Sequence, residues 1–319
     1  MAGCAVLLVA ILAIAGVFSS DDEGDAGPVE SFGAATTSAT TAPAPPAQPM
    51  VKRILVGGRP DSISAGSGLV WVTDSFAGTL KKINPRNDRL HGIPAAGFPT
   101  DVSAGEGAAW VALPDRGEVE WVGTSGPIHL AEVQGFPFQI AAGEGAVWAM
   151  SQKAVERLDP ATGRPDGQPT QLHGAGSDIA TGEGWVWVTR SNRDVVRISP
   201  DDGELSDSAA NVPGAFNVAV GESAAWALGA SGTLTRIDPV SGDAEGSSVR
   251  VPQALDVAAG LGAVWVTVGE GTVRRFDPDS GSAIGKPIKV GRQPQSIAVG
   301  EGAVWVACAG DGAVYRIRP

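Results

Sequence analysis

Side chains that could do chemistry are few in this chain and oddly placed. Its 319 residues hold three histidines, His91, His129 and His173, and two cysteines, Cys4 and Cys308. No HxxH, HExxH or paired-cysteine spacing gathers them into a metal-ligating or nucleophilic set, so neither a metal nor a cofactor is expected. Carboxylates are plentiful and regular instead. Asp159, Asp238 and Asp277 each open a D-P-x-x-G string. That string is acidic enough to suggest calcium, but it also describes a turn. Asp accepts from the turn backbone, Pro presets φ, and Gly163, Gly242 or Gly281 takes positive φ. Glu106, Glu144, Glu183, Glu222 and Glu301 follow a glycine in another recurring tight turn, where Ser67 and Leu261 replace them in two copies. Four residues before that glycine stands a polar residue every time: Ser62, Asp101, Gln139, Asp178, Asn217, Asp256 and Ser296.

What positions these residues is a repeat. Trp71, Trp110, Trp148, Trp187, Trp226, Trp265 and Trp305 recur every 38 to 40 residues, and self-similarity at that period marks a repeat architecture. In each copy a short segment such as residues 138–143, FQIAAG, leads into the Gly-Glu-Gly turn, and the Trp strand follows. A loop leads to a strand such as residues 154–160, AVERLDP, and a D-P-x-x-G turn leads to a weaker fourth strand. Alternating apolar positions and four turn-bounded runs per copy leave no room for helices. Four strands in each of seven units predict an all-β, seven-bladed β-propeller of four-stranded blades. The seven tryptophans are expected between blades. Trp121 and Trp185 fall outside their register, and Trp185, at the turn position, is expected to be exposed.

The ends of the repeat region support ring closure. The last copy stops after its third strand, at Val314-Tyr315-Arg316-Ile317, while a spare strand, residues 51–57, precedes the first copy. That strand is expected to complete the last blade and to remove an edge that would otherwise template aggregation.

The strings G-E-G-A-V-W-V (300–306) and R-I-D-P-V-S-G (236–242) resemble those of YncE-like or YVTN-type seven-bladed propellers, and more loosely NHL-repeat propellers. The resemblance covers residues 51–319 and implies the fold, not an activity. The streptogramin B lyases are similar propellers, which raises an enzyme reading. The resemblance implies a histidine base near a metal on the central face, whereas all three histidines here map to fourth, outermost strands of blades one to three. No catalytic residue is expected.

Residues 1–20 are expected to be one apolar helix, acting as a transmembrane anchor or as a signal peptide. Met1 to Phe18 carries no charge and would span about 27 Å as a helix. A signal peptide usually begins with Lys or Arg; here both are absent, although Val17-Phe18-Ser19 resembles a cleavage site. Residues 21–50 pair an acidic patch with a Thr/Ala/Pro run and are expected to be a disordered linker reaching about 30 Å. An apolar span and such a tether before a propeller also look like the extracytoplasmic half of actinobacterial receptor-type serine/threonine kinases, without any kinase motif. The linker holds five acids and no base, leaving 23 cations against 30 anions in residues 51–319. That balance argues against nucleic acid as a partner.

The face bearing the polar ring is the expected binding face. Phe98, Phe136, Phe138 and Phe216 fall in loops entering first strands, and Phe76 in a loop leaving a second strand. Arg59, Arg116, Arg190, Arg193 and Arg292 share the same loop set, and Asp101, Asp178 and Asp256 supply carboxylates to the ring. Aromatic and Arg enrichment in surface loops is how a binding face looks. The sequence therefore points to a monomeric, membrane-tethered, extracytoplasmic propeller that binds or senses a protein or cell-envelope ligand. The alternatives are a lyase-type enzyme and an envelope scaffold.

Overall fold

The computed structural model describes residues 49–191 and 194–319; of residues 207–209 only the backbone is described. The expected N-terminal helix, almost all of the linker, and Arg193 lie outside the described residues. Among the described residues, no helix is long and apolar enough to cross a membrane.

Seven antiparallel four-stranded sheets make the seven blades of a propeller. Within six of them the strands follow chain order from the axis outward; blade three, for example, runs Gln139–Gly143, Ala146–Met150, Ala154–Leu158, Thr170–Gln171. The seventh is closed as its termini predicted. Met50–Leu55 pairs with Ala313–Arg318 from Met50 opposite Arg318 to Leu55 opposite Ala313. Because strand direction alternates, the first-to-second and third-to-fourth turns share one face, called here the turn face. The second-to-third loops and the blade-to-blade connections share the other, the loop face.

The first hairpin turns use their two glycines for different reasons, although in blade five Ser223 takes the second place at φ 58°. Glu144 and Gly145 have φ of 55° and 74°, the double left-handed conformation of a type I′ hairpin. The preceding glycine is required by crowding at the axis. A Cβ on Gly105 would lie 2.5 Å from Ala142 O of the next blade, and one on Gly300 2.5 Å from Ala65 O. The turn glutamates are not idle tips either. Glu106, Glu144, Glu222 and Glu301 accept from the backbone N–H of Gly145, Gly184, Gly262 and Gly68, each in the next blade.

The seven repeating tryptophans are buried between blades. Six donate their indole N–H to the carbonyl of their own hairpin's first glycine, as Trp148 does to Gly143 O at 3.2 Å. Opposite each, on the third strand, stands a cation or one substitute. Lys82, Arg157, Arg197, Arg236, Arg275 and Arg316 lie over Trp71, Trp148, Trp187, Trp226, Trp265 and Trp305 at 5.5–5.9 Å from the ring. In blade two the place is taken by Trp121, which pairs with Trp110 across the strands and stacks on it at 5.1 Å. Trp121 is therefore in register after all, on the third strand. Trp185 is half-buried, not exposed, because the Arg197 guanidinium covers it at 4.4 Å.

The D-P-x-x-G turns have the structural role. The Asp159 carboxylate accepts from the backbone N–H of Ala161 and Thr162, and Asp238 and Asp277 do the same in their turns. Those bonds hold all three carboxyls below their ordinary value.

Candidate functional site

The first strands converge on a channel of about 270 Å³ lined by Val, Ile and Ala side chains, with the hydroxyls of Ser64, Ser103 and Thr181 and the carboxyls of Asp178 and Asp256. The polar ring sits where these strands begin. Its carboxylates are fully engaged with neighbouring blades. Asp101 accepts from Ser62 Oγ at 2.6 Å and from Ile140 N at 2.9 Å. Asp178 accepts from Val218 N at 2.8 Å, and Asp256 from Ile297 N at 2.9 Å. Desolvation pushes Asp101 up to about 6, Asp178 to about 8 and Asp256 to about 7, and mutual repulsion adds to the rise at Asp178. All three are half-buried at the channel mouth. Among the described residues, no group of three or more His, Cys, Asp or Glu is arranged to hold a metal.

The loop-face aromatics divide into two kinds. Phe76 is 82% exposed, Phe136 72% and Phe98 47%. They stand on consecutive sectors: Phe76 in the second-to-third loop of blade one, Phe98 between blades one and two, Phe136 between blades two and three. Phe138 and Phe216 are instead partly buried against the cores of blades three to four and five to six. Phe216 lies within the strand Ala215–Gly221, beside a bulge, and not in an entering loop. Beside Phe136 an open cavity of about 530 Å³ is walled by Pro114, Phe136, Phe138, Ser151, Gln152 and Lys153. Arg190 does not face this surface as a free cation. It is buried, forks onto Asp194 and donates to Leu172 O at 2.6 Å. Arg116 and Arg292 are likewise paired, with Glu118 and Asp311.

Two residues that the sequence reading passed over organise this face. Glu120 and Glu156 occupy the same third-strand position of blades two and three and are 0% and 3% exposed. Glu120 accepts from Ala96 N and Glu156 from Gln134 N, both at 2.6 Å. Each bond therefore pins a connection two residues before an exposed phenylalanine. The second carboxyl oxygen of each is buried without a partner, and desolvation raises Glu120 above its ordinary value. A charged residue at an inward-facing strand position was the available signal.

The histidines stay out of the channel. His91 and His129 lie in the outer strands Leu90–Pro94 and Ile128–Glu132, where His129 stacks on Trp121 at 5.0 Å. His173 is not on an outer strand as expected; it lies beyond Thr170–Gln171, exposed in the blade connection at φ 53°.

No protein-family profile and no curated protein sequence matches the chain. Its likeness is to solved structures. Virginiamycin B lyase from Staphylococcus aureus superposes with a TM-score of 0.73 at 18% identity, covering 85% of this chain and 100% of that one. A chain of the mitotic checkpoint complex gives 0.71 at 11% identity, covering 87% and 96%. BamB from Moraxella catarrhalis gives 0.58 at 12%, covering 83% and 85%. In all, 1632 chains of solved structures match significantly, a breadth that supports the propeller architecture and selects no activity.

Proposed function

We propose that this propeller is a binding module that docks a protein on the loop face of blades one to three, tethered outside the cytoplasm by its apolar N-terminal run. The observation that carries the reading is the set Phe76, Phe98 and Phe136. Three large rings stand in solvent on adjacent sectors of one face, beside the cavity walled by Phe136, Phe138 and Pro114. Leaving such rings in water forgoes roughly 1.5–3 kcal/mol each relative to burial, and aromatic anchors near a pocket are the usual centre of a protein interface. The checkpoint propeller was solved as part of a complex, a use compatible with this fold. The lyase alternative has less support. A lyase of this architecture is inactivated by a histidine-to-alanine change, whereas His91 and His129 here lie on outer strands.

Capture from cell-envelope extract with wild type, a Phe76→Ser/Phe136→Ser variant and Glu144→Ala tests the docking face. The aromatic variant is expected to lose a partner that both other proteins retain. Equal capture by all three would refute it. A reporter fused after residue 50 tests export separately: activity of a reporter that works only outside the cytoplasm is expected.

A further inference from the structure

The third-strand cations over the buried tryptophans nearly all have a second partner. Arg157 pairs with Asp166, Arg236 with Glu245, and Arg316 with Asp88 of the next blade. Arg197 donates to the carbonyls of Pro239, Val240 and Ser241, and Lys82 to Thr124 O. Arg275 is the exception. Among the described residues it touches the Trp265 ring but has no carboxylate or carbonyl partner; its buried Nε is unpaired, a feature it shares with Arg157, Arg197, Arg236 and Arg274.

The cause is visible by comparing blades three and six. Both carry the same bulged third-to-fourth connection. Leu158 bridges Pro165 and Phe276 bridges Ala283, while Asp166 N donates to Arg157 O and Ile284 N to Arg275 O. On this shared scaffold Glu156, Asp166 and Gln168 of blade three become Arg274, Ile284 and Lys286 in blade six, while Ala161 becomes Asp279 and Arg164 becomes Ser282. Blade three neutralises its arginine internally. Blade six lacks the Asp166 carboxylate that pairs with Arg157 in blade three, and Arg274, Arg275 and Lys286 line a cavity of about 240 Å³ with Ile284 and Gly285. Three cations in one small cavity, on a chain of net charge −12, repel one another unless an anion joins them.

We propose that the rim of blade six is an oxyanion site, in which Arg274, Arg275 and Lys286 bind a phosphate group. Guanidinium forks match phosphate oxygens in pairs, and Lys adds a point charge. Three positive side chains suit a phosphate dianion better than a single carboxylate. The site is separate from the aromatic loop face and does not depend on that reading.

The test is calorimetric titration of the full-length protein with inorganic phosphate in chloride buffer at constant ionic strength. Wild type is expected to bind one phosphate saturably. Lys286→Gln and Ile284→Asp, which restores the carboxylate of blade three, are expected to bind at least about tenfold more weakly. Near-ultraviolet circular dichroism of the tryptophans checks that both variants remain folded. No saturable binding by wild type, or equal binding by folded variants, overturns the site. Vesicles of phosphatidylcholine with and without phosphatidic acid then locate the phosphate. Sedimentation that requires phosphatidic acid and Lys286 assigns a lipid headgroup; phosphate binding without it assigns a soluble ligand.

Discussion

Asp178 of blade four accepts a hydrogen bond from the backbone N–H of Val218 in blade five at 2.8 Å, 40 residues along the chain. It does so at a blade pair that no turn glutamate bond is seen to join. The pattern holds around the ring. Glutamates latch blades two to three, three to four, five to six and seven to one on the turn face. Ser62–Asp101, Asp178 and Asp256 latch one to two, four to five and six to seven at the channel mouth. Every interface is crossed by a bond to a carboxylate.

This arrangement makes stability depend on pH in a definite direction. Asp101, Asp178 and Asp256 hold protons more tightly when folded, with values raised to about 6, 8 and 7 from 3.8. Their contribution is complete below about pH 4 and is lost as pH rises through 6 to 8. The lowered carboxyls, such as Asp74 and Asp311, contribute fully above about pH 4 and lose their effect on acidification below it. Stability is therefore expected to peak near pH 4 and to fall from there toward pH 8. Asp178→Asn keeps an acceptor for Val218 N and cannot ionise. Melting curves from pH 5 to 9 are expected to fall less steeply for Asp178→Asn, with the variant the more stable protein at pH 9. Parallel curves for the two proteins would contradict it.

Trp187→Ala is expected to destabilise the propeller by about 3–5 kcal/mol through the cavity it opens. The ring is fully buried, donates to Gly182 O at 3.1 Å and carries Arg197 on its face. Denaturant unfolding measures the loss; a change under about 1 kcal/mol would show that the site refills.

Closure of the ring gives a sharper contrast. Removing residues 50–56 bares the edge of Ala313–Arg318, and takes away buried Ile54 and Val56 together with the Lys52–Asp88 and Arg53–Asp311 contacts. Loss of the cooperative melt or aggregation is expected. Removing residues 21–48 should leave the melting temperature unchanged. An unchanged cooperative melt after both deletions would mean that the seventh blade is stable on three strands.

Much of this was legible because a repeat writes its structure seven times. The 39-residue period gave the blades, the spare strand gave the closure, and the regular tryptophans gave the inter-blade packing. Contacts between copies were harder. Glu106 looks like an exposed tip until the next blade's Gly145 is placed beside it, yet the two are one period apart, so the period itself held the clue. Trp121 is out of step only when the register is counted on second strands; its place is the third-strand position that is Arg or Lys in the other blades. Arg190 looks like a surface cation in sequence because its partner Asp194, four residues on, does not stand out where acidic residues abound. The likeness of blades three and six lies in their matched bulges, which depend on backbone hydrogen bonding and not on composition.

The buried glutamates beneath the aromatic loops give the last prediction. Glu156 Oε2 holds Gln134 N, and Glu120 Oε2 holds Ala96 N; neither carboxylate reaches the other loop's amide. Each therefore pins one connection, ahead of Phe136 and Phe98 respectively. Glu156→Ala leaves the Gln134 amide without its acceptor and is expected to raise hydrogen exchange across residues 133–138 while leaving residues 95–98 unchanged. Glu120→Ala is expected to do the reverse. Because each native glutamate also buries an unpaired oxygen, global stability should fall by less than the loss of a buried hydrogen bond to a charged group, about 1.5–3 kcal/mol, would suggest. Exchange mass spectrometry on both variants reads the two loops in one experiment. If both loops speed up in both variants, the glutamates support the blade cores generally; if neither does, the loops are held by their own turns. A reciprocal pattern shows that the exposed rings are held by individual buried carboxylates.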